Sequence, residues 1–335
     1  MRATIKDVSK AAQVSTKTVS RVLNNEPYVS PETRARVERA IADLRFSPSA
    51  AARILAGGAS NQVALLYDNH SPHYIHQIQT GVWARCTEQG VRLLAQPMDV
   101  ASPMLAKEVG ELIDQTRVDG VILSSPVTDA VVVLEALEAR GVPYVRISPG
   151  TDHGRSASVT MDDVQAADDM TSHLIALGHR RIGFIVGHVN HTASGQRLFG
   201  YRRALDRAEI PFEPRYVRPG DFDFASGEAA ADVLLDLARP PTAIFASNDD
   251  MAAGVLTVAH RRGLGLPRDL SVAGFDDTAL ASQLWPPLTT VRQPTRDLAY
   301  AATSLLFSRE PGAVHRRLAH ELVVRGSTAA PPANS

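Results

Sequence analysis

The sequence predicts a small all-α head of three helices, followed by a large α/β body of two lobes with doubly wound parallel sheets. Three observations predict it. The first sixty residues show helical spacing and hold ten Lys or Arg against five Asp or Glu, while the remainder holds 25 against 31. From about residue 61, short apolar runs alternate with longer helical stretches, as in strands joined by crossover helices. A chain of 335 residues also exceeds what one core organises, so the body should divide.

The head begins with a helix from about Ile5 to Ala12, where Thr4 and Asp7 stand as a variant capping box. Only Gln13 and Val14 separate it from a second helix, whose N-cap is Ser15. In that helix Val19, Val22 and Leu23 share an apolar face, leaving Thr16, Lys17, Ser20 and Arg21 on the other. Two helices so joined form a helix-turn-helix. Ser30 caps a third helix with Pro31 at its first position, and Val37, Ile41 and Leu44 make its core stripe. Arg34, Arg36, Arg39 and Arg45 fall outside that stripe and are read mostly as a solvated face. Spacing alone is equally consistent with a helical hairpin that merely packs. The concentration of positive charge favours contact with nucleic-acid phosphates, and the whole-chain charge of −1 conceals it.

A linker follows. Pro48 bounds it on one side and Gly57-Gly58 on the other. The residues between are too few for a stable isolated helix, so order there should depend on a partner.

Strand-like runs in the body include Val63–Tyr67, Arg92–Gln96, Gly120–Leu123, Pro143–Ile147, Arg181–Val186, Thr242–Phe245 and Ser271–Gly274. Helical stretches include Ile75–Glu88, Val164–Leu177, Gln196–Arg207 and Met251–Arg262. Parallel sheets bind ligands at the carboxyl ends of their strands, so the loops after the strands are the candidate site. They hold Asp68, Asn69, His70, Ser71, His73 and Tyr74; then His188, Asn190, His191 and Arg197; then Asn248 and Asp249; then Phe275, Asp276 and Asp277. Carboxylates, amides and an Arg fork suit hydroxyl groups, and Tyr74, Phe222 and Trp285 offer rings to an apolar face. Local roles remain open: Asp249 as a helix cap, Asp277 as a turn former, Arg197 in a surface ion pair.

His70, His73 and His76 repeat every third residue, as do His188 and His191. No carboxylate or Cys completes a metal spacing, so hydrogen bonding to a ligand is preferred and no metal or other cofactor is expected. P-loop, G-x-S-x-G, H-E-x-x-H and complete dinucleotide motifs are absent. Cys86, the one cysteine, reads as a small core residue. With neither signal peptide nor membrane span in the sequence, a cytoplasmic protein is expected.

Ile5-Lys6-Asp7-Val8-Ser9 with Val14-Ser15-Thr16-Lys17-Thr18-Val19-Ser20-Arg21-Val22-Leu23-Asn24 resembles the head of the lactose-repressor (LacI/GalR) family of bacterial transcription regulators. The likeness continues in family order through residues 47–58, 177–183, 246–252, 272–277 and 285–291. It implies a periplasmic-binding-protein-like body and a DNA-contacting set of Thr4, Ser15, Thr16, Lys17, Thr18, Ser20, Arg21, Asn24, Ala52 and Leu55. Within that set Thr16, Lys17 and Arg21 fall at base-reading positions, and Leu55 at that of a hinge leucine wedged into the minor groove. For the effector it implies Asp68, Asn69, His73, Tyr74, Arg197, Phe222, Asn248, Asp276 and Trp285, of which Arg197, Asn248 and Asp276 match positions that bind sugar hydroxyls. Thr295 stands where some relatives carry an aromatic ring.

The expected domains are a head over 1–47, a hinge helix and linker over 48–60, a body over 61–325 and a disordered tail over 326–335. Lobe 1 should take about 61–160 plus 292–320, and lobe 2 about 161–291 plus 321–325. The resemblance implies a homodimeric regulator, a repressor of carbohydrate-utilisation genes, bound to near-palindromic double-stranded DNA and controlled by a small sugar or glycoside. A purine- or other metabolite-responsive regulator is the alternative. A solute-binding protein without a DNA role fits poorly with the basic head, and a glycosidase-like reading of Asp249, Asp276 and Asp277 ranks third.

Overall fold

The computed structural model describes residues 3–23, 26–46, 59–69, 71–308 and 312–332. The chain divides into two compact units, residues 1–61 and 62–335. Asn24, Ala52, Leu55, His70 and nearly all of the expected hinge lie outside the described residues.

The first unit contains α1 (Ile5–Ala11), α2 (Thr16–Leu23) and α3 (Pro31–Asp43). They enclose Val8, Ala12, Val19, Val22, Val37 and Ala40, with Ile5, Val14, Leu23 and Ile41 packed around them. Side chains fix where each helix begins. The Asp7 carboxylate accepts from Thr4 N at 2.8 Å and Thr4 Oγ1 at 2.7 Å. Ser15 Oγ accepts from Thr18 N at 3.1 Å, and Ser30 Oγ from Thr33 N at 3.3 Å. Gln13 takes a left-handed φ of +51° in the turn, and Ser9 Oγ pins that turn by donating to Val14 O at 2.7 Å. Two expectations change. Leu44 follows the end of α3 and is exposed, so the stripe stops at Ile41. Arg34 donates to Val22 O and Glu26 O, satisfying carbonyls at and beyond the end of α2 instead of lying on a solvated face.

In the second unit, lobe 1 holds β1 (Gln62–Tyr67), β2 (Arg92–Pro97), β3 (Gly120–Leu123), β4 (Tyr144–Ile147), β5 (Ser158–Thr160) and β11 (His315–Arg317). Their order is β11-β5-β4-β3-β1-β2, all parallel. Lobe 2 holds β6 (Ile182–Ile185), β7 (Val217–Arg218), β8 (Ala243–Ala246), β9 (Ser271–Asp276), β10 (Thr289–Arg292) and β12 (Glu321–Val323). Their order is β12-β10-β9-β8-β6-β7, parallel apart from the β10–β12 pair. The inner strands β3, β6 and β8 are buried along their whole length, which is why they read as continuous apolar runs.

Helices α4 (Pro72–Glu88), α5 (Leu105–Thr116), α6 (Val131–Glu138) and α12 (Thr295–Ser308) belong to lobe 1. Helices α7 (Asp163–Ala176), α8 (Thr192–Arg207), α9 (Phe224–Leu235), α10 (Asp249–Arg261) and α11 (Ala279–Gln283) belong to lobe 2. A Cβ on Gly81 would stand 2.2 Å from the Arg296 carbonyl oxygen, so glycine there lets α4 and α12 approach closely. The chain passes between lobes three times: from β5 to α7, from β10 to α12, and from β11 to β12.

The tail departs from expectation. Residues 326–332 are described and docked on lobe 2, not disordered. Val272 N donates to Ser327 O at 2.9 Å, Ser327 Oγ donates to Val272 O at 2.6 Å, and Thr289 N donates to Ser327 Oγ at 2.7 Å. Ala329 N donates to Ser271 Oγ at 3.0 Å, and the buried His179 ring lies within 2.9 Å of Ala329 O. Backbone groups at the start of β9 and β10 would be unsatisfied without this segment.

Candidate functional site

In the head, the α2 face away from the core presents Thr16 and Lys17 exposed, with Ser20 and Arg21 half-exposed beside them. Val19 and Val22 are buried on the opposite side, so packing fixes which residues turn outward. Arg21 lies 3.5 Å from Glu26, a loose pair between exposed groups. Ser15 and Thr18 are joined at 2.9 Å between their hydroxyls, and Thr4 is tied to Asp7, so these three act first as helix-start fixtures. Such a face offers donors and a methyl group at the spacing a major groove accepts.

In the body, the carboxyl ends of both sheets face one cavity between the lobes. Lobe 1 contributes Asn69, Ser71 and Tyr74 after β1, Ser125 after β3 and Ser148 after β4. Lobe 2 contributes Asp163 at the start of α7, His191, Gln196 and Arg197 after β6, Phe222 after β7 and Asp276 at the end of β9. Gln293, on the second passage between lobes, completes the lining.

Arg197 is buried. Its Nε donates to Asp163 Oδ1 at 2.8 Å, its Nη1 to Ser247 O at 2.6 Å, and its guanidinium sits 3.6 Å from the Phe275 ring centre. It forms a buried ion pair, not a surface one, yet still lines the cavity. Burial pushes the Asp276 carboxyl up to about 7, against the pull of Arg197 and of the Gln293 amide that donates to it. Burial also raises the Tyr74 phenol. Ser125 Oγ is buried without a hydrogen-bond partner among the described residues. Ser148, Phe222 and Asp276 all take left-handed backbone angles, φ +47°, +59° and +113°. Non-glycine residues held so cost about 1–3 kcal/mol each and gather at ligand sites. Gly187 makes room for one of them, since a Cβ there would stand 2.0 Å from the Phe222 ring.

Several expected residues stand elsewhere. Asn248 is buried and spends its amide internally: Oδ1 accepts from Met251 N at 2.9 Å and Nδ2 donates to Phe222 O at 2.8 Å. It, not Asp249, caps α10. Asp249 turns inward, accepting from Thr290 Oγ1 at 2.6 Å and Thr278 N at 2.7 Å, with its pKa raised by burial. Asp277 has φ +53° and pairs with Arg292 and Arg325. Asp68 accepts from Val100 N at 2.9 Å, tying the loops after β1 and β2 together. Trp285 is 80% exposed and outside the cavity; its carbonyl accepts from His260. His73 lies in an adjoining open pocket that shares Tyr74, Asp276 and Gln293, with Thr295 in its wall. His76 is exposed on α4, while His191 packs edge-on between His188 and Phe222.

Sequence reasoning missed Ser125, Ser148, Asp163, Gln196 and Gln293. The rule that selects the loop after β1 also selects Ser125 and Ser148, which lie within two residues of the ends of β3 and β4. Asp163 and Gln293 follow β5 and β10, which are not among the strand-like runs of the sequence.

Residues 4–49 match the family described as bacterial regulatory proteins, lacI family, and residues 171–328 match a periplasmic binding protein-like domain. The HTH-type transcriptional repressor CytR of Escherichia coli (strain K12) is 35% identical over 335 residues, covering 98% of this chain and 97% of its own. The chain belongs to the lacI family. Among solved structures, the lac repressor dimer bound to operator and the anti-inducer ONPF is 30% identical, with a TM-score of 0.87 over 98% of this chain and all of its own. A complex of the transcriptional regulator CelR with cellobiose is 32% identical, with a TM-score of 0.74 over 97% of this chain and all of its own. This lacI-family protein is therefore a DNA-binding transcription regulator with an effector-binding body. Among its described residues no helix is long and apolar enough to cross a membrane.

Proposed function

We propose that this regulator represses carbohydrate-utilisation genes as a cytoplasmic homodimer on a near-palindromic operator, and that a small saccharide in the inter-lobe cavity controls its operator affinity. The observation that carries the reading is the cavity itself: hydroxyl, amide, carboxylate and guanidinium groups converge at the carboxyl ends of two facing sheets, with Tyr74 and Phe222 as apolar walls. The CelR structure with cellobiose supports it. Those same two rings favour a second reading, a nucleobase or nucleoside effector.

The mechanism is a population shift. A ligand that contacts both lobes binds one lobe arrangement better than the other and so displaces the equilibrium. Gln293 links Asp276 to the β10–α12 passage, so a ligand competing for Asp276 acts on a segment that joins the lobes. Thr192 Oγ1 of lobe 2 donates to Asp129 of lobe 1 at 3.2 Å, a contact the shift must make or break. Catalysis has no place in this reading: Asp249 is sealed and Asp277 is ion-paired. Aryl glycosides should remain intact on incubation.

The test selects duplexes from a randomised palindromic library, then titrates the best one by fluorescence anisotropy with and without saccharides. Arg21→Ala should lose about 1–3 kcal/mol of discrimination at a single base pair of each half-site. A uniform loss across all sequences would reduce Arg21 to a phosphate contact.

A further inference from the structure

We propose that the effector is an uncharged ring bearing adjacent hydroxyls, and that phosphate esters of such rings are excluded. The inference rests on the ligand-sensing reading and deepens it. Among the described lining residues, Arg197 is the one permanent cation, facing two carboxyl groups, Asp163 and Asp276. Arg197 is already engaged three ways, by Asp163, by Ser247 O and by the Phe275 ring. A phosphate ester would carry about −1.5 to −2 charges into this space. It would meet a cation already paired and a second carboxyl group.

Helix starts, the usual alternative for holding a phosphate, are mostly occupied as well. Ser71 Oγ accepts from Tyr74 N at the start of α4, Asp162 Oδ1 from Gln165 N at the start of α7, and Asn248 Oδ1 from Met251 N at the start of α10. The start of α8 has no side-chain cap, but it faces a carboxylate, since Thr192 Oγ1 donates to Asp129. Three of these four starts therefore hold an acceptor already, and the fourth lies beside a carboxylate.

A neutral polyol meets none of these obstacles. The unpartnered Ser125 hydroxyl offers both a donor and an acceptor. Arg197 keeps N–H groups beyond those spent on Asp163 and Ser247, and Asp276 accepts from a hydroxyl or, protonated, donates to one. Tyr74 and Phe222 cover an apolar ring face.

The experiment measures the melting temperature of the full-length protein with matched pairs: ribose and ribose 5-phosphate, glucose and glucose 6-phosphate, cellobiose and its phosphate ester, and purine and pyrimidine nucleosides with their monophosphates. Binding to the native state raises it. The expected result is a rise with an uncharged member that its phosphate matches only at about tenfold higher concentration or not at all. A sugar phosphate that binds as tightly as its parent, or better, overturns the inference and leaves the saccharide reading standing. A rise confined to an uncharged nucleoside upholds the inference and retires the saccharide reading. Failure of every uncharged member overturns the inference.

Discussion

Arg197 shows how one side chain serves both the fold and the site. Its partner Asp163 is as deeply buried as itself, so Arg197→Ala leaves an uncompensated carboxylate and should cost about 3–5 kcal/mol of stability. That makes alanine a poor probe of ligand binding. Arg197→Lys keeps the charge but loses the planar fork. We expect it to fold and bind operator, with the effector response weakened at least about tenfold in an anisotropy titration. An unchanged response would remove Arg197 from the effector site. Asp276 carries a different signature. In the unfolded chain its carboxyl titrates near 4, whereas in the folded protein it holds its proton up to about 7. Between those values the folded state binds more protons, so stability falls as pH rises from about 4 to 7. Asp249, also raised by burial, adds in the same direction. Asp276→Asn should flatten the decline in melting temperature across that range. A decline as steep as that of the parent would place its origin elsewhere.

Elements here are held by polar devices as much as by apolar area. Arg146 on β4 is completely buried and donates to the carbonyls of Thr128, Thr151 and Asp152 and to Ser156 Oγ. It thereby fixes the loop after β4 that carries Ser148. The docked tail does similar work in lobe 2, where Ser327 and Ala329 satisfy groups at the start of β9 and β10. Four of these bonds, at about 0.5–1.5 kcal/mol each, imply that ending the chain at Arg325 lowers stability by about 2–6 kcal/mol. Thermal denaturation of the truncated protein checks this, and an unchanged melting temperature would return the tail to the role of a passive extension.

At the scale of the whole molecule, the described residues of the body form three apolar clusters of their own, apart from the small cluster of the head. Residues 62–335 produced alone should fold and retain the ligand-dependent rise in melting temperature while losing operator binding. Residues 1–61 alone should be marginal, since so few residues bury little apolar area. A body that fails to fold without the head would show that the two units depend on each other.

The sequence by itself determined the elements whose signals are local. Ser15 and Ser30 cap helices because a hydroxyl reaches an N–H three residues on. Gly120–Leu123 reads as an inner strand because both its faces are apolar. Arg197 and Asp276 stand at the carboxyl ends of strand-like runs, where parallel sheets place ligands. Short strands such as β5, β7 and β11 carry too few residues for a period, and only pairing with a neighbour defines them. The roles of Asn248, Trp285, Asp163 and the tail were likewise decided by tertiary structure. A polar side chain is available to a ligand only if no closer group claims it, and those claimants, Met251 N for Asn248 and Arg197 for Asp163, are fixed when distant segments pack.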